Sequence, residues 1–141
     1  MRALLGVIGS LVREVFEVLI VGNLGLGRRR AYWERQLLRA RSRPSHELQR
    51  VRVYRSLRRL AEVEVARAEW GRAAEFYSEA FEIIAGDSWA LLQYSKVLCA
   101  LGRLEEAQLI WKKILNGPAP IDNLDRISGE EATAYLRLPP K

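Results

Sequence analysis

Cysteine and histidine occur once each in this chain of 141 residues, as Cys99 and His46. A lone cysteine excludes an intramolecular disulfide, and its apolar neighbours Leu98, Ala100 and Leu101 suggest a core thiol in a reducing compartment. A lone histidine, close after Ser45, supplies neither a metal site nor half of a catalytic pair, so it reads as a surface residue at a helix start. Long apolar runs are also missing: no uncharged stretch exceeds ten residues, too short to cross a bilayer. The apolar stretch after Arg2 ends in Arg13-Glu14 with no small-residue cleavage site, so no cleaved signal peptide is expected. No carboxylate pair falls in a recognisable pocket motif, and no metal-ligand spacing occurs. The reading is of a protein that is not an enzyme and uses no cofactor or metal.

What the chain does have is a folded protein's balance, 49% apolar and 28% charged residues, and a very uneven charge. The net +6 does not belong to the whole molecule. Residues 1–27 are neutral, residues 28–72 hold fourteen arginines against five glutamates, and residues 73–141 carry a small acidic excess. Such asymmetry speaks of partners: an acidic protein face, anionic lipid or nucleic acid.

Within residues 1–27, Leu4, Ile8, Leu11, Val15, Val18 and Leu19 recur at helical spacing, with Leu5 and Val12 widening the apolar face. Gly6, Ser10, Arg13, Glu14 and Glu17 fall opposite. This amphipathic helix is expected to dock onto a membrane interface or a partner, with Arg28, Arg29 and Arg30 near anionic groups. Packing against the rest of the chain is the alternative, slightly favoured over lipid by Glu14 and Glu17.

The glycines Gly22, Gly25 and Gly27 invite comparison with a phosphate loop. A dinucleotide fingerprint spaces its glycines in the reverse order, and a Walker loop needs Lys then Ser or Thr where Arg28 and Arg29 stand. A joint between two helices fits better. After it, Arg28 to Ser42 reads as a basic helix ended by Pro44, with Tyr32 and Trp33 among the arginines. Arginines interleaved with aromatics can also serve RNA through phosphate contact and base stacking. Ser45 then caps a long helix whose apolar phase runs through Leu48, Val51, Leu57, Leu60, Ala61, Val65 and Ala68 towards Trp70-Gly71.

Laying residues 54–87 over residues 88–121 aligns similar side chains without a gap: Leu57 with Leu91, Ala61 with Ser95, Val63 with Val97, Ala73 with Ala107, Tyr77 with Trp111. Two helical hairpins of 34 residues are implied. The segments Glu69–Phe81 and Gly102–Trp111 resemble the turn and second helix of a tetratricopeptide repeat. Departures stand at Ala68, in the turn-glycine position, at Glu64, where an aromatic is usual, and at Ile114, where Ala is.

That resemblance implies an all-α, short helical-hairpin solenoid. It also implies a concave groove lined by Arg55, Arg58, Glu62 and Val65 from the first repeat and Trp89, Leu92, Lys96 and Cys99 from the second. Some of these are open to being covered by the N-terminal helix. Because two repeats leave apolar faces open, residues 3–43 are expected to close one side and the capping helix and tail of residues 122–141 the other, with residues 28–53 forming the basic helix and the start of the long helix. Asn116-Gly117-Pro118-Ala119-Pro120 breaks the chain. Ser128 and Glu131 read as a capping box for a final helix through Arg137, before an extended tail at 139–141. The function that follows is a non-catalytic protein-interaction scaffold, an assembly factor or accessory subunit docked to the cytoplasmic or organelle-interior side of a membrane. The alternative is RNA or polyanion binding by the arginine-rich 28–72 surface.

Overall fold

The computed structural model describes residues 2–21, 24–42, 47–117 and 123–137. Among them are seven helices and no strand: α1 (Arg2–Leu19), α2 (Leu26–Arg41), α3 (Glu47–Ala66), α4 (Trp70–Ile83), α5 (Ser88–Ala100), α6 (Leu104–Leu115) and α7 (Asn123–Arg137). Gly22, Pro44, the Ser45 cap, His46, the break at 118–120 and the tail at 139–141 lie outside the described residues. So do the side chains of Leu4, Leu5 and Leu19.

Each helix packs on its sequence neighbour from α2 to α7, and α7 also lies against α5. The central element is α3, which is held between α2 and α4. Leu57, Leu60 and Val63 of α3 meet Trp33 and Leu37 of α2, Val21 after α1 and Ala80 of α4. The side chains of Leu57 and Leu60 are wholly buried. Burial of that order stabilises by about 2 kcal/mol per leucine. Further along, Ala61, Ala73 and Ala74 bring α3 and α4 close, and Tyr77 fills the space up to Val97. A second cluster gathers Leu91, Leu92 and Leu98 of α5 with Ala107, Trp111 and Ile114 of α6 and Ala132 of α7. There Trp111 donates to Ser95 Oγ at 2.8 Å, Ser95 donates to the Leu92 carbonyl at 2.6 Å, and the Trp111 ring stacks on Tyr135.

The 34-residue period reappears in the backbone of the two turns. The amide of Glu69 donates to the Glu64 carbonyl and that of Arg103 to the Leu98 carbonyl, both at 2.9 Å and both 34 positions apart. Arg67 and Leu101 likewise share their donations, to Val63 and Glu64 in one case and to Val97 and Leu98 in the other. This is a helix end closed by a left-handed residue. Gly102 holds that conformation at φ 75°, and Ala68 holds it at φ 58° without glycine's freedom. The next helix enters the same way in both repeats, from Glu69 and Arg103 in near-identical backbone conformations without a side-chain cap, whereas α5 is capped by Asp87, whose Oδ1 accepts from Ala90 N at 2.7 Å.

Four expectations are corrected. The long helix stops at Ala66, because the left-handed turn at Ala68 ends it before Trp70. In its first half Leu48 and Val51 are exposed, while Gln49 and Ser56 are buried, so the side facing α2 is partly polar. The final helix begins at Asn123, which places Ser128 inside it and fully buried rather than at its cap. Cys99 lies at the surface, although partial desolvation raises its thiol pKa above the ordinary value.

Relieving the left-handed alanine is expected to help: Ala68→Gly should raise stability by about 0.5–1 kcal/mol and Gly102→Ala lower it by about 1 kcal/mol, read from urea midpoints at constant slope. Burial also pushes the Tyr77 phenol well above its ordinary value of 10.0. A raised folded-state pKa means stability that is complete below about pH 10 and is lost as pH rises beyond it. Urea unfolding at about pH 8 and about pH 11 should therefore show a larger loss in the native chain than in Tyr77→Phe.

Candidate docking helix and the basic cavity at its root

An amphipathic helix normally turns its apolar face to the core, and α1 does the reverse. Ile8, Leu11, Val12 and Val15 are exposed, Val12 to 63%. Glu17, roughly half a turn away from Ile8 and Val15, is buried against the rest of the protein. Its carboxylate is ion-paired with Arg55 of α3 and accepts a hydrogen bond from Tyr32 of α2 at 3.3 Å. Desolvation, reinforced by the Glu17 charge and hydrogen bond, raises the Tyr32 phenol pKa. The Phe16 ring lies 6.2 Å from that of Tyr32. Just beyond the helix, Val21 is buried in the core and Leu24 packs beside it. Among the described residues, the helix is thus attached near its C-terminal end by the Glu17 contacts, the Phe16 ring beside Tyr32 and the buried Val21 that follows.

The described parts of the glycine segment are pinned. Leu24 N donates to Val21 O at 3.1 Å, and Arg29 Nε donates to Leu24 O at 2.9 Å. The three arginines after it separate in role. Arg28 is exposed, Arg29 holds the turn, and Arg30 is half-buried between Glu34 at 3.0 Å and Glu64 at 3.2 Å. Glu64 itself is wholly buried and also pairs with Arg67 at 3.4 Å. Arginine elsewhere in residues 28–72 is similarly engaged: Arg41 with Glu79, Arg59 with Glu62, and Arg50 with the Ile83 carbonyl. Trp33 is buried between α2 and α3, so its ring offers no face to a base.

The residues expected to line a groove are distributed along α3 and α5. Arg55 is taken up by Glu17 of α1. Arg58 is half-buried and bridges Asp87 at 3.2 Å and Glu62 at 3.7 Å. Val65 is half-buried, and Trp89 stands partly exposed. Leu92 is fully buried in the α5, α6 and α7 cluster, so it lines no open surface. Lys96 pairs with Glu131 of α7 at 3.3 Å. Own helices therefore occupy both ends of the row, α1 at Arg55 and α7 beyond Leu92.

A site not anticipated from the sequence lies where α1 meets α2 and α3. A cavity of about 160 Å³ is lined by Arg13 and Glu17, by Trp33, Gln36, Arg39 and Ala40, and by Gln49, Arg52, Arg55 and Ser56. Among the described residues, four arginines and one carboxylate line it. Gln49 is buried, and its Oε1 has no hydrogen-bond partner. The available signal was Gln49 and Ser56 themselves, polar residues on the side of α3 that turns towards α2. Among the described residues no group of three His, Cys, Asp or Glu is placed to hold a metal ion.

Compared with known proteins, the chain matches no family model, no curated protein and no solved structure. The tetratricopeptide resemblance rests on the quoted residues alone.

Removing one partner of a buried ion pair leaves a charge uncompensated, whereas replacing both with apolar groups is often neutral. Arg30→Met is expected to destabilise by about 2–3 kcal/mol, and Arg30→Met combined with Glu64→Leu to return within about 1 kcal/mol of the native chain, measured by urea unfolding.

Proposed function

We propose that this protein is a non-catalytic helical adaptor that docks peripherally on an anionic membrane surface through α1 and presents its two hairpins to a protein partner. The outward apolar face of α1 carries the reading. A soluble protein gains nothing by pinning an amphipathic helix through its polar side unless something apolar covers the other side. No helix among the described residues is long and apolar enough to cross a membrane, and the reading needs none.

The magnitudes favour a reversible contact. Ile8, Leu11, Val12, Val15 and Ile20 are each about half exposed. Covering that remainder contributes about 1 kcal/mol per residue, or about 5 kcal/mol in all. A single acyl chain contributes about as much and gives only marginal binding, so a second attraction is required. The exposed Arg28, just after the joint, supplies it at about 1 kcal/mol near anionic lipid. The role of the hairpins as a protein-binding part follows from their resemblance to tetratricopeptide repeats. RNA binding by residues 28–72 is the weaker reading, since so many of those arginines already meet carboxylates and Trp33 is buried.

The test is co-sedimentation with phosphatidylcholine vesicles containing phosphatidylglycerol. The native chain is expected to bind, and Leu11→Glu combined with Val15→Glu to bind at least tenfold more weakly with an unchanged circular dichroism spectrum. Equal sedimentation of the two would remove α1 as the docking element.

A further inference from the structure

We infer that the cavity between α1, α2 and α3 is a binding site for a phosphate group that carries an O–H donor beside it, either hydrogen phosphate itself or a hydroxyl-bearing phosphate ester of a lipid headgroup. This goes beyond the membrane reading and does not depend on it. The argument begins with charge. Of the ionisable residues described on the wall, Glu17 is the one acid, and it is already engaged by Arg55 and Tyr32. Arg52 also has an interaction of its own. Arg13 and Arg39, from α1 and α2, bring positive charge to the cavity from separate helices. An oxyanion neutralises that charge, and the planar guanidinium fork is matched to phosphate oxygens.

A second observation narrows the chemistry. The Gln49 side chain lines the cavity, is only 4% exposed, and leaves its Oε1 without a donor. A buried acceptor left unpaired costs about 1–3 kcal/mol. The occupant therefore brings acidic oxygens for the arginines together with a hydroxyl for Gln49. A carboxylate or sulfate at neutral pH has no such donor. Hydrogen phosphate does, and so does a phosphodiester with a free alcohol. The size agrees: 160 Å³ is room for about five waters, enough for a phosphate and a short polar arm.

An NMR titration of the full chain with sodium phosphate and, separately, sodium sulfate at constant ionic strength tests this. Saturable shifts of the Gln49 amide and arginine Nε–H resonances are expected with phosphate, and affinity for sulfate should be at least tenfold lower. Arg13→Gln and Arg39→Gln change exposed side chains and should each weaken phosphate binding about tenfold, the value of one charge-assisted hydrogen bond. Gln49→Met should abolish the preference for phosphate over sulfate. The Leu11→Glu, Val15→Glu chain should bind phosphate normally even where it no longer sediments with vesicles, which separates this site from the docking face. Competition by phosphate against phosphatidylglycerol vesicles would identify the lipid headgroup as the source, and its absence a soluble phosphate. No saturable phosphate response, equal affinity for sulfate, or arginine variants that bind as the native chain does would each overturn the assignment.

Discussion

The structure depends on one buried charge. Glu64 lies near the end of α3 with no exposure to solvent, and an ionised carboxylate there is tolerable only with cations close by. Arg30 comes from α2 and Arg67 from the turn that leads into α4, so three successive elements converge on one side chain. The Glu64 carbonyl also accepts the amide that closes the left-handed turn. Backbone and side chain of the same residue thereby fix where α3 ends and how α2 lies along it. In the second repeat the equivalent place is held by Leu98, buried in an ordinary apolar cluster. The first repeat thus uses an ionic contact where the second uses packing, and the cation it needs comes from the helix that precedes it.

This arrangement changes what the arginine-rich composition means. Read as a line of text, residues 28–72 look like a surface awaiting a polyanion. In three dimensions much of that charge joins helices to one another. Exposed pairs such as Arg41 with Glu79 contribute little individually, about 0–1 kcal/mol. The partly buried contacts at Glu17 and Glu64 matter more, since they fix α1 and α2 on α3. What remains exposed is a smaller set, with Arg28 and Arg39 among it.

Much of the fold was legible because its signals are local. Helical periodicity pointed to α1, α2 and α3, and the alignment of residues 54–87 with 88–121 placed Ala68 and Gly102 at equivalent positions that adopt the same left-handed turn. Two readings differ from the structure. Leu48 and Val51 share the apolar phase of α3, yet α2 presents a polar cavity to that end of α3 and draws Gln49 and Ser56 inward instead. Ser128 and Glu131 match a capping pattern, but α7 starts earlier and uses Ser128 as a small residue inside the helix. Neither the inverted attachment of α1 nor the cavity could be seen in the sequence, because both depend on which helix each arginine reaches. Periodicity says which residues share a face and is silent on where that face points.

The attachment of α1 has a mechanical consequence. Its described contacts gather at the C-terminal end, where Glu17 is held by Arg55 and Tyr32, Phe16 lies by the Tyr32 ring and Val21 enters the core. Because Glu17 is buried, its charge contacts act where solvent screening is weak. The direction in which the helix leaves the body is therefore set at one point, the junction of α2 and α3, and a change there would be magnified along its length.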